Sequence, residues 1–178
     1  MRCWAEIDLA ALERNLRLIR AALPEGIRYV SVVKADAYGH GILHTAARLM
    51  QSGVDLFAVA NVREAVEIRE MGSGWPILVI GPLLPEEDEA LAIHDLIATV
   101  SSADELDRFS DVAHKAGKIL PIHFKIDTGM GRLGAWWEGA AELLSDARSR
   151  PHLKLEGALT HFAHPADSAY TKRQREIF

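Results

Sequence analysis

Two periods of apolar residues organise the chain. Residues 4–8 alternate apolar and polar and predict a short strand. Behind it Leu9, Leu12, Leu16, Ile19 and Leu23 recur at spacings of three and four, the stripe of a half-buried helix. Asp8 is placed to cap that helix, and Pro24 and Gly26 to stop it. A strand-then-helix unit then repeats. Strand 29–34 precedes a helix over 42–51 with Leu43, Ala46, Ala47 and Met50 inward. Strand 56–60 precedes a helix over 62–71, opened by Asn61 and Glu64 as a capping box. Strand 76–80 precedes a short helix led by Pro85, with Glu86, Glu87 and Asp88 at its positive end. Strand 96–100 precedes a helix capped by Ser102 and Glu105, whose inner side is Leu106, Phe109, Val112, Ala113 and Ala116. Strand 121–127, a helix near 138–148, strand 153–161 and a helix capped near Asp167 complete the pattern. Six strands alternating with helices imply an α/β fold with a parallel sheet and right-handed crossovers. No linker divides it, so residues 1–178 read as one domain. Periodicity leaves open a doubly wound sheet or part of a (β/α)8 barrel, which takes about 250 residues and two further units. The last helix meets no glycine or proline stop, so the chain reads as cut rather than finished.

Composition narrows the function. The chain is 49% hydrophobic with mean hydropathy near zero, the composition of a globular protein. Its net charge of −5, with signs interspersed, argues against nucleic acid or an anionic membrane as partner and favours a small substrate. Cys3 is the single cysteine, so no internal disulfide is expected. No apolar run approaches the roughly 20 residues of a membrane span, and no export signal opens the chain. A cytoplasmic location is expected.

Lys34 is the first candidate for chemistry. It closes a β-branched strand, and the C-terminal ends of strands are where β/α folds gather their active-site loops. Partial desolvation there favours the neutral, nucleophilic amine. Tyr38 offers a hydroxyl at the same rim, and Gly39 and Gly41 allow close backbone approach. The alternative is a lysine reaching to water beside a tight turn. Along 122–128, alternation places His123, Lys125 and Asp127 on one strand face. A bare ammonium there is costly, which suggests either a Lys125 to Asp127 network or carbamylation of Lys125 by CO2. Residues 129–134 also satisfy GxGxxG. The dinucleotide fingerprint is rejected because the preceding strand carries Lys and Asp and because Glu156 begins a strand instead of ending one. His161, His164 and Asp167 form the best metal-ligand grouping, with His40 and His44 as a second, and neither carries a metal motif.

Four stretches carry a resemblance to a known family. VVKADAYGHG, WAEIDLAALERNLRLIR, KIDTGMGRLG and LTHFAH are similar, in the same order, to segments of the alanine racemases, pyridoxal 5'-phosphate enzymes of fold type III. The resemblance covers the N-terminal half of such an enzyme. It implies an incomplete (β/α)8 barrel of about six units, preceded by the N-terminal strand and helix, with the C-terminal β-domain absent. It further implies that Lys34 holds the cofactor covalently and acts as base on one face of the substrate. Tyr38 becomes a phosphate contact, Arg132 a contact to the cofactor's phenolic oxygen and the substrate carboxylate, and His161 a neighbour of the cofactor ring. Lys125 becomes the carbamylated lysine, and no metal is required. The opposite-face acid/base, a tyrosine of a partner subunit's C-terminal domain, is not in this chain, so the 178 residues alone are expected not to racemise. The full enzyme is expected to be a cytoplasmic homodimer supplying D-alanine for peptidoglycan. Asp36 departs from the asparagine of many members. A non-catalytic single-barrel pyridoxal-phosphate protein and a barrel metallohydrolase remain the alternatives.

Overall fold

Asp8 opens the first helix, as its spacing requires. In the computed structural model, which describes residues 2–178, its carboxylate accepts the N–H groups of Ala10 and Ala11, both at 2.9 Å. The backbone divides into two compact units, one ending at Gly81 and the other beginning at Pro82.

The first unit holds α1 (Leu9–Ala22), β1 (Val30–Val32), α2 (Lys34–Gly39), α3 (Ile42–Gln51), β2 (Leu56–Val59), α4 (Val62–Glu70) and β3 (Ile77–Val79). Its strands are parallel, with Ser31 opposite Phe57 and Ala58 opposite Leu78. Both β2 and β3 are buried throughout. The strand predicted over 4–8 does not form, because no described strand lies alongside to take up its backbone groups. Two helix stripes also differ from expectation. Only Leu16 of α1 is buried, and Ile19 is 42% exposed. The buried face of α3 is Ile42, Thr45, Ala46 and Leu49, with Leu43 half exposed. Along β1 only one face is covered: Ser31 is buried while Val30 and Val32 are 37% and 39% exposed. Within this unit β1 has β2 as its strand neighbour on one edge.

The second unit opens with a tight turn Pro85–Glu87 and continues through α5 (Asp88–Ile93), β4 (Ile97–Val100), α6 (Ala103–Lys115), β5 (Leu120–Asp127), β6 (Ala135–Trp136), α7 (Ala140–Ser149), β7 (Leu153–Leu159) and α8 (Ser168–Ile177). Asp88 does not sit in solvent at a helix end. It is buried and accepts Nε and Nη2 of Arg108 at 2.8 and 2.6 Å. Strand β5 is central, with β4 on one side and β7 on the other, all parallel. The core is Phe109 and Leu106 from α6 against Leu120, Ile122 and Phe124. Glu156 is the extra residue of a β-bulge, since Ile122 faces Leu155 while His123 faces Gly157. The six expected strands are β1 to β5 and β7. Strand β6 is additional, pairing Ile126 and Asp127 with Ala135 and Trp136. It depends on Gly134, where a Cβ would lie 2.7 Å from the Asp127 nitrogen.

Candidate active site

Lys34 stands where β1 gives way to an unusual turn. Ala35, Asp36, Ala37 and Tyr38 all take left-handed helical angles, with φ between 53° and 56°. Each such residue costs about 1–2 kcal/mol when it carries a Cβ, so neighbouring contacts must hold the turn. The Ala37 N–H donates to the Val33 carbonyl at 2.8 Å. One carboxylate oxygen of Glu64 accepts the Ala35 N–H at 2.7 Å while the other accepts the Ala60 N–H at 2.9 Å. The Asp36 carboxylate accepts the Ile42 N–H at 2.7 Å, which starts α3. An asparagine oxygen could accept the same bond; the aspartate adds a charge suited to the positive helix end. Lys34 is thereby half buried at the base of a fixed turn, and Tyr38 is exposed at its far end. Beside it lies a cavity of about 440 Å³ whose lining includes Ala37, Tyr38, His40 and Thr45. The Thr45 hydroxyl is buried with no hydrogen-bond partner.

In the second unit Asp127 organises the glycine-rich turn. One oxygen accepts the N–H groups of Gly129 and Gly131 at 2.9 and 3.1 Å, and the other accepts that of Arg132 at 2.9 Å. Burial pushes the Asp127 carboxyl up, but the N–H groups of Gly129, Gly131, Arg132 and Met130 outweigh it and hold the group below the ordinary aspartate range. Gly129, Gly131 and Gly134 all have positive φ. The turn closes around a carboxylate and leads into β6 rather than a helix, which removes the dinucleotide reading on geometry as well. Arg132 leaves this turn exposed. Lys125, two residues before Asp127, is 6% exposed.

His161 follows β7 and is exposed, and its carbonyl accepts the Gln174 amide at 3.0 Å. The other members of the metal grouping serve the chain itself. Asp167 caps α8 through the Tyr170 N–H at 3.0 Å, and the His164 carbonyl accepts from the Asp167 N–H. Among the described residues no three His, Cys, Asp or Glu side chains stand close enough to hold a metal ion. The first unit thus brings Lys34 and Tyr38 onto one turn, and the second anchors Arg132 to Asp127. Reading the sequence missed Glu64 as a clamp and Asp127 as a turn cap. The only signals were a carboxylate three residues past Asn61 and another two residues before Gly129.

In each unit parallel strands alternate with helices, which defines a β/α protein. The chain belongs to the alanine racemase family: the family described as alanine racemase, N-terminal domain, matches residues 7–178. It is 42% identical to the alanine racemase of Synechocystis sp. over 99% of its own length and 48% of that protein. It is 40% identical to that of Halothermothrix orenii over 98% of its length and 47% of the relative. The structure of Clostridium difficile alanine racemase in complex with cycloserine superimposes with a TM-score of 0.94 at 35% identity, covering 98% of this chain and 49% of that one. The fold is therefore similar to the racemase N-terminal barrel and consistent with an incomplete (β/α)8 barrel. The chain spans about half the length of the curated relatives it matches.

Proposed function

We propose that this chain carries the lysine face of a pyridoxal 5'-phosphate-dependent alanine racemase. The observation that carries the reading is Lys34, at the end of β1, on a strained turn clamped by Glu64 and Asp36. Strain held by dedicated contacts beside a nucleophile is characteristic of functional sites. The donor set suits the cofactor. An aldehyde calls for an amine, a phosphate for donors such as the Tyr38 hydroxyl, and anionic oxygens for the Arg132 guanidinium. When bound, the cofactor supplies a conjugated ring that stabilises negative charge at the substrate α-carbon.

The chain's own residues do the rest. Lys34 is the residue that would hold the cofactor's aldehyde carbon, and its free amine would serve as the base for the α-proton on one face of the substrate. Arg132 would hold the substrate carboxylate, and His161 would stand beside the cofactor. Lys125, almost fully buried, is carbamylated: its neutral Nζ adds to CO2 and loses a proton, turning a buried cation into an anion able to pair with a guanidinium. The family places the opposite-face acid/base on a partner subunit, so the active assembly is a homodimer. It acts in the cytoplasm on a small amino acid and supplies D-alanine for peptidoglycan. The purified protein, given pyridoxal phosphate and L-alanine in deuterated water, is expected to exchange the alanine α-proton. That exchange should disappear in Lys34→Ala. Equal exchange in the two proteins would refute the proposal.

A further inference from the structure

Helix α8 docks by a polar anchor. Its single buried side chain is Gln174, at 0% exposure. A buried amide needs partners for both ends, and Gln174 has them. Its Nε2 donates to the Thr128 hydroxyl at 3.1 Å and to the His161 carbonyl at 3.0 Å, while its Oε1 accepts the Ala163 N–H at 2.9 Å. Thr128, also buried, meets the Thr160 hydroxyl at 2.8 Å. One turn earlier on α8, the Tyr170 hydroxyl donates to the Gly129 carbonyl at 2.7 Å, and a Cβ at Gly129 would come within 2.5 Å of it.

Thr128 lies between Asp127, which holds the Arg132 turn from inside, and Gly129, which Tyr170 holds from outside. We propose that Gln174 is a positioning residue for the racemase site, locking the β5 end that bears Arg132 to the segment after β7 that bears His161. The proposal rests on the reading of Arg132 and His161 as site residues.

Two variants test it by hydrogen–deuterium exchange. Gln174→Met keeps length and volume but removes all three bonds. Gln174→Glu keeps the acceptor for Ala163 and sets an oxygen against the His161 carbonyl until the carboxyl is protonated. Loss of these bonds predicts at least about tenfold faster exchange at 128–133 and 160–164 in Gln174→Met, with 97–100 unchanged. At pH 8 Gln174→Glu is expected to loosen the same two segments, 160–164 less than in Gln174→Met because the bond from the Ala163 N–H survives. Corrected for intrinsic rates, it should return partway toward the parent protein below about pH 5 as a donor is restored. If Gln174→Met fails to fold, the comparison of Gln174→Glu at pH 8 and below about pH 5 carries the test by itself. Unchanged exchange, a uniform rise across the second unit, or a Gln174→Glu response indifferent to pH would overturn the proposal. None of these readouts requires catalysis; failure of the racemase reading would show instead as parent protein without Lys34-dependent exchange of the alanine α-proton.

Discussion

Asp127 bears two oxygens aimed at three backbone N–H groups, so its charge and its shape both matter. In Asp127→Asn one oxygen survives while an NH2 group confronts the Arg132 or Gly129 N–H. The expected cost is about 1–3 kcal/mol in urea unfolding at pH 7. The sign of the pH dependence follows from the lowered carboxyl. Such a group contributes stability that is fully present above its unfolded value near pH 4 and is lost as pH falls through its lower folded value. Asp127→Asn and the parent protein should therefore differ most above about pH 4 and converge in stronger acid; a constant difference down to pH 2 would contradict this. Arg132, exposed beyond the same turn, packs little. Arg132→Ala in the active assembly should lower kcat/KM for alanine roughly ten- to over a hundredfold, the loss of one charged hydrogen-bond partner, with unfolding unchanged. Near-normal kcat/KM would make Arg132 a turn residue only.

At the scale of elements, the turn after Lys34 shows where sequence reading stops. Strands β2 and β4 were legible as short apolar runs, strand β5 and helix α6 by their periods apart from Ala116, which is exposed, and the helix caps because Asn61 and Ser102 have one strong local use. Of Ala35 to Tyr38 only Asp36 is of a type that tolerates left-handed angles. Among the contacts that hold the turn is Glu64, 29 residues away, whose pairing with the Ala35 N–H no local pattern reveals. The strand expected over 4–8 failed for the opposite reason: a correct alternation found no neighbour. Two substitutions separate these ideas. Ala35→Gly, which would cost about 1 kcal/mol in an ordinary helix, is expected to be neutral or stabilising here because it relieves a left-handed Cβ. Glu64→Ala strands two N–H groups and is expected to cost about 1–3 kcal/mol by urea unfolding. An ordinary helical penalty at Ala35, or no cost at Glu64, would show that the turn is not held as described.

For the molecule as a whole, four separated motifs in order said more than any periodicity. The relatives and the superimposed racemase structure agree with them over nearly the whole chain. On the proposed reading the chain supplies one base, Lys34, on one face of the substrate, and racemisation takes proton transfer on both. The 178 residues by themselves are expected to exchange the alanine α-proton with retained configuration; sustained D-alanine formation would show that the second face needs no partner domain. All of this depends on where the cofactor attaches. The protein loaded with pyridoxal phosphate, reduced with borohydride and mapped by peptide mass, is predicted to carry the label at Lys34 and to lose it in Lys34→Ala. A label recovered mainly at Lys125 or another lysine would contradict the account.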